Sequence, residues 1–160
     1  MNEGCQIRRA EDRDIPGILH LLVQVNMVHH TIRPDLFNGP ATKYTAEELK
    51  AIIPDDKTPI FVCVDKEGRV LGHCFCVFQQ HAGDNILTDI KTLYIDDLCV
   101  DENQRGKHVG KALYDYVLDF ARASGCYNVT LNVWAGNDSA LKFYQRQGLA
   151  MQKYGMEKIL

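Results

Sequence analysis

Apolar positions along this chain keep helical spacing in some stretches and strand spacing in others. Gln6-Ile-Arg-Arg-Ala10 reads as a short first strand. Glu11-Asp-Arg-Asp14 then leads into a helix with Pro16 in its first turn, where a missing N–H costs nothing. Ile15, Ile18, Leu19, Leu22, Val25 and Met27 follow helical spacing and bury one face. Pro34, Gly39 and Pro40 make residues 29–43 irregular. Thr45-Ala-Glu-Glu48 is a capping box for a short helix through Ile53. Residues 59–65 and 70–79 form a hairpin around Lys66-Glu67-Gly68, and 92–100 is a fourth strand. A helix over 108–124 aligns Val109, Leu113, Tyr116, Val117 and Phe120 and stops at Gly125. The β-branched run 128–134 suits an interior strand with Trp134 in the core, 139–146 is a last helix, and 149–160 is expected to add closing strands.

Strands and helices in this order imply an α/β (α+β) layer system with a mixed sheet, in one domain over 1–160. The chain is 46% apolar and 24% charged, as in ordinary soluble proteins. A net charge of −3 argues against a nucleic-acid partner, and no stretch reads as a membrane or secretory segment. Cytoplasm is the expected compartment. Of the six cysteines, Cys63, Cys74, Cys76 and Cys99 sit in strand-like apolar runs, where a free thiol behaves as a small hydrophobe. No cysteine and histidine spacing fits zinc, and no metal is expected.

The chemistry concentrates where the strand ending in Leu98-Cys99-Val100 meets the helix at Val109. Arg105-Gly106-Lys107-His108-Val109-Gly110-Lys111 is a basic, glycine-containing turn that opens a helix. Backbone N–H groups converge there, the helix adds the positive end of its dipole, and glycine permits close approach. Gly106-x₃-Gly110-Lys111 is one residue short of a P-loop, Ala112 replaces its Mg²⁺-binding hydroxyl, and a dinucleotide fingerprint is missing. The turn alone therefore leaves open whether it cradles a phosphate or merely reverses the chain.

A second segment narrows this. Arg105-x-x-His108-x-Gly110 and the helix running from Asn137 through Ala140, Phe143, Tyr144 and Gly148 to Leu149 together resemble the GNAT superfamily of N-acetyltransferases. The residue-level likeness spans 96–149, and the element order matches nearly the whole chain. The resemblance implies a GNAT-like fold with a mixed, mostly antiparallel sheet of six to seven strands, about four helices, and fourth and fifth strands splayed around acetyl-CoA. It places backbone groups of Leu98, Cys99 and Val100 along the pantetheine arm. It sets Arg105 to Gly110 around the pyrophosphate, Lys111 nearby, Asn137 close to the pantetheine arm and Ala140 among the cofactor-binding residues. Tyr144 would protonate the leaving thiolate. One departure is His108, which stands where the family most often has glycine and is expected to take a right-handed helical backbone.

The acceptor amine must lose a proton, and Asp96 or Asp97 would take it, directly or through water. Alternation along a strand points these neighbours to opposite faces. An unperturbed aspartate is a weak base near neutrality, so burial would have to raise its affinity for the proton. His29, His30, Arg33 and Phe37 fall where the resembled family varies its acceptor pocket. The implied reaction is direct transfer of acetyl from acetyl-CoA to a primary amine, of a small molecule or a peptide, in a ternary complex. An acetyl-Cys99 intermediate is disfavoured, because a strand-buried thiol is inert. The alternative is a non-catalytic acyl-CoA sensor, which would have no use for a proton donor at Tyr144. The acceptor's identity is not legible, and a homodimer is left open.

Overall fold

The computed structural model describes residues 4–160. A five-stranded sheet has the order β1 (Gln6–Arg9), β2 (Ile60–Val64), β3 (Val70–Gln79), β4 (Thr92–Val100), β5 (Asn128–Leu131). All pairings are antiparallel except β4 with β5, which is parallel. Helices α1 (Ile15–Ile32) and α2 (Ala46–Ile52) cover one face, and α3 (Val109–Ala123) covers the other. Helix α4 (Asp138–Arg146) joins the α3 side, where Phe143 and Tyr144 pack edge-on against Tyr114.

Strand β2 serves both layers: Ile60, Val62 and Val64 enter the core under α1 and α2, while Phe61 and Cys63 enter the core under α3. Gly72 of β3 sets how near α3 can come. A Cβ there would lie 2.9 Å from Leu113 Cδ1 and 3.0 Å from the Cys99 carbonyl oxygen. The expected capping box forms, with Thr45 Oγ1 accepting from the Glu48 N–H and Glu48 accepting from the Thr45 N–H. All six cysteines are free thiols, and those of β2, β3 and β4 are buried.

Three expectations need correction. The sheet has five strands rather than six to seven, because residues 150–160 form no strand. Their apolar residues Met151, Tyr154, Met156, Ile159 and Leu160 keep no period of two, so no face could be buried, and all are exposed. This segment instead runs past the end of α1, where Glu157 pairs with Arg33. Second, α1 does not stop before His29. With no Gly or Pro after Gly17 it continues to Ile32, and Arg33 caps it just ahead of Pro34. Third, β5 ends at Leu131, so Trp134 lies beyond it and is 42% exposed.

The start of α1 is fixed electrostatically. Asp14, 2% exposed, accepts two bonds from the Arg8 guanidinium, at 2.7 and 3.0 Å, and one from the Glu11 N–H. Burial disfavours its charge, but these donors outweigh burial and hold the carboxyl below the usual carboxylate range.

Gly72→Ala should lower stability by about 1–3 kcal/mol through overpacking, read as a lower urea midpoint. Asp14→Asn should cost about 3–5 kcal/mol near neutrality, because it strands Arg8. A depressed carboxyl stabilises above its unfolded value and loses that contribution as pH falls. The gap between wild type and Asp14→Asn in urea melts should therefore close as the pH drops below the ordinary carboxylate range.

Candidate active site

Strand β4 does two things that plain alternation would forbid. Its pairing with β5 ends at Ile95 opposite Leu131, while β4 itself continues to Val100. From Asp96 onward its β5-side edge therefore has no neighbouring strand. At the same place β4 carries a β-bulge: Cys76 faces Ile95 and Phe75 faces Asp97, so Asp96 is the extra residue.

The bulge changes the phase of the strand. Leu93 and Ile95 belong to the core under α3, and strict alternation would send Asp97 there too. Instead Asp97 and Cys99 share the α1 face with His73 and Phe75. Asp97 Oδ2 lies 2.7 Å from His73 Nε2, and Cys99 Sγ donates to the Leu21 carbonyl of α1. Asp96 lies on that face as well, 2.5 Å from the Lys43 ammonium. The expectation that the two aspartates point apart is thus wrong, since one inserted residue brings both to one cleft.

Residues from four other elements surround these carboxylates. His29 comes from the last turn of α1, Lys43 and Tyr44 from the segment before α2, His73 from β3 and Tyr144 from α4. Tyr44 stacks on Phe75 at 5.6 Å and Lys43 lies over the Tyr44 ring. Burial lowers the pKa of His29, with Lys43 adding and Asp97 opposing, so its imidazole is neutral near pH 7. Burial works against the Lys43 ammonium too, but the bond to Asp96 and the charges of Asp96 and Asp97 raise it above an ordinary lysine. Burial pushes the Tyr144 phenol well up, helped by Cys74 and Asp97, so it stays protonated. Cys99 is pushed up to about 12 by burial and has almost no thiolate near neutrality.

The other acceptor-side candidates lie around the end of α1. The Phe37 carbonyl sits 2.7 Å from His30 Nδ1; a carbonyl only accepts, so that nitrogen carries the proton and closes the loop. Arg33 is held by Asp35 and Glu157. Phe37 packs between His29, at 5.0 Å, and Trp134, at 5.4 Å. Of these four, His29 is the one whose electrostatics couple to Asp97 and Lys43.

Around the turn, Asp101 caps a short 3₁₀ segment, and the Glu102 N–H donates to Gln24 of α1. The first bond of α3 runs from the Ala112 N–H to the His108 carbonyl, so the N–H groups of Val109, Gly110 and Lys111 face outward, unused by the helix. Gly106 has φ +78°. His108 has φ +64° and ψ +15°, the left-handed region, which corrects the expected right-handed backbone. Glycine is the natural occupant of such a position, and histidine there is strained. Arg105 and Lys107 are exposed on the turn, and Lys111 pairs with Asp115 one turn along α3. Asn137 caps α4 by accepting from the Ala140 N–H. Leu98 and Val100 pack toward the α3 core, leaving their backbone on the free edge of β4.

Three residues of the cleft escaped the sequence analysis: Lys43, Tyr44 and His73. His73 had a signal, as the one imidazole in the apolar run Val70-Leu-Gly-His-Cys-Phe-Cys-Val-Phe78. Lys43 and Tyr44 had none, because their segment has no period to place them. Among the described residues, no cluster of His, Cys, Asp or Glu could hold a metal ion, and no helix is long and apolar enough to cross a membrane.

An anion cradle next to an open strand edge, with acid–base groups beyond it, suits enzymes that move an acyl group from a long phosphate-bearing carrier. The chain belongs to the acetyltransferase (GNAT) family, which it matches over residues 25–149. It is an N-acetyltransferase of that family. The glucosamine 6-phosphate N-acetyltransferase of Trypanosoma brucei brucei is 36% identical over 89% of this chain and 87% of its own length. The Arabidopsis thaliana enzyme of the same name is 27% identical over 54% of this chain, which spans 64% of that enzyme. A solved structure of a mutant BH1408 protein from Bacillus halodurans has a TM-score of 0.92 at 28% identity, covering 97% of this chain and 99% of its own.

A left-handed backbone costs a non-glycine residue about 1–2 kcal/mol. Glycine returns about 0.5–1 kcal/mol of this as chain entropy. His108→Gly should therefore melt at or slightly above the wild-type temperature. His108→Val, β-branched at positive φ, should melt lower.

Proposed function

We propose that this chain uses acetyl-CoA to acetylate a primary amine of a small molecule by direct transfer within a ternary complex. The observation that carries the reading is the convergence of a protonated phenol, Tyr144, and a carboxylate, Asp97, where β4 parts from β5. The outward N–H groups at the start of α3, the left-handed turn and exposed Arg105 suit a pyrophosphate. The free edge of β4 at Leu98, Cys99 and Val100 suits the amides of a pantetheine arm, which would add to it as a strand does. Asn137 and Ala140, at the start of α4, flank that arm.

Acetyl-CoA supplies the acetyl group as an activated thioester. The protein's part is proton management and positioning. An acceptor ammonium is drawn to Asp96 and Asp97, and its proton passes to Asp97 directly or through one water. The amine nitrogen then bonds the acetyl carbon, the carbon–sulfur bond breaks as Tyr144 delivers its proton to the sulfur, and the second proton of the nitrogen returns through water to the Tyr144 oxygen, leaving a neutral amide and a free thiol. A backbone N–H of β4 polarises the thioester oxygen. A buried phenol is a weaker acid than an exposed one, so Tyr144 first stabilises the developing thiolate by a hydrogen bond and transfers its proton as charge accumulates. Covalent relay through Cys99 has no support, given its raised pKa and its bond to Leu21.

For the acceptor, two relatives are named for an amino-sugar phosphate, so glucosamine 6-phosphate heads the trial set. Polyamines, amino acids, aminoglycosides and peptide N-termini complete it. Thiol release from acetyl-CoA with each acceptor is the assay. Turnover with at least one small amine is expected. Coenzyme A binding with thiol release never above the no-acceptor rate would replace this reading by that of an acyl-CoA sensor. Tyr144→Phe should lower kcat about 10²- to 10³-fold while leaving coenzyme A affinity within a few-fold.

A further inference from the structure

His73 is fully buried, yet it carries a polar ring in the floor of the cleft. Its Nε2 lies 2.7 Å from Asp97 Oδ2, its Nδ1 has no hydrogen-bond partner, and its ring sits edge-on to Phe75 at 5.0 Å. The lone nitrogen decides the protonation state. If the imidazole were cationic, or if Asp97 were protonated and donated to Nε2, then Nδ1 would carry a buried proton with no acceptor. A stranded donor costs about 1–3 kcal/mol. The arrangement that strands no donor is a neutral His73 with its proton on Nε2, donating to an ionised Asp97.

We propose that His73 is a positioning residue for the proton-accepting carboxylate: its Nε2–H fixes one oxygen of Asp97, so that the other is presented to the acceptor amine or its bridging water. This deepens the acetyl-transfer reading and rests on it. Asp96 is the poorer candidate for that work, because its side chain is engaged by Lys43 at the rim. Asp97 Oδ1 has no protein partner among the described residues, and the side chain keeps 11% exposure. The cross-strand geometry makes the hold rigid. Phe75 is paired with Asp97 and His73 with Cys99, so imidazole and carboxylate are diagonal neighbours on two hydrogen-bonded strands. A buried polar pair seldom stabilises a fold more than an apolar pair of equal volume. Its presence at the cleft floor is therefore better explained by what it does to Asp97.

The charged and titratable groups facing the pair are His29 from α1, Lys43 and Tyr44 from the segment before α2, Cys74 from β3, Asp96 and Cys99 from β4, and Tyr144 from α4. Removing the His73 donor leaves these neighbours in place and takes away the bond that fixes the acceptor oxygen.

Two variants separate packing from hydrogen bonding. His73→Met fills the space without a donor, and His73→Gln can return an N–H near the position of Nε2. Both should fold and bind coenzyme A like wild type, checked by thermal melting and calorimetry. With the acceptor that turns over best, the acidic limb of kcat/KM should move up by about one pH unit in His73→Met, since a carboxylate that loses a donor is more easily protonated. His73→Gln should restore most of the wild-type profile. Long-range ¹H–¹⁵N NMR of the wild type should show His73 as the Nε2–H tautomer. A His73→Met profile that superimposes on wild type overturns the proposal, as does an Nδ1–H tautomer. If no acceptor is turned over, the acetyl-transfer reading falls and the positioning role with it. The NMR result still reports separately whether the pair exists as described.

Discussion

The site depends on a mismatch in strand β4. An antiparallel neighbour, β3, holds it along its whole length, while the parallel neighbour, β5, stays with it only to Ile95. One inserted residue, Asp96, falls at the point of parting. A bulge strengthens local twist and bends the strand that carries it, so the same residue that shifts the side-chain phase also steers β4 away from β5. An open backbone edge and a pair of carboxylates on one face follow together. Two adjacent carboxylates on one face could not exist in a regular strand, where neighbours alternate.

From that point the two sides of the cleft are built differently. The donor side is mostly backbone: the outward N–H groups at the start of α3, the left-handed turn, and the free edge of β4. Main-chain groups of this kind suit a phosphate-bearing, amide-rich chain whatever side chains flank them. His108 illustrates the tolerance, a strained residue in a place that suits glycine. The acceptor side is made of side chains from α1, from the segment before α2, and from β3 and β4. Its polarity is set by an ion pair of Asp96 with Lys43 and a hydrogen-bonded pair of Asp97 with His73.

Burial is the means by which the cleft tunes its acids and bases. Few charges lie under the sheet, so the low-dielectric surroundings of β3 and α4 keep Tyr144 and Cys99 protonated and His29 neutral. The thiols packed nearby are excluded from the chemistry by the same effect.

Periodicity was enough to read α2, α3 and the β2–β3 hairpin, because each is amphipathic with a cap or turn at its end. It also located the turn at 105–110 and the helix at 137–149, whose residue types are dictated by local backbone needs. It failed where local signals were weak or misleading. The end of α1 was misplaced because nothing stops a helix before Pro34, and the tail was overread as strands although its apolar residues keep no period. The relation between Asp96 and Asp97 was read wrongly because a bulge is set by how two strands pair, not by the strand's own residues. His73, Lys43 and Tyr44 became part of the site only once three distant segments met on one face. The sequence by itself determined most of the elements and the family, since the motifs that carry them join near neighbours in the chain. Tertiary structure alone decided which partner holds each carboxylate, Lys43 for Asp96 and His73 for Asp97, because those interactions join residues far apart in sequence.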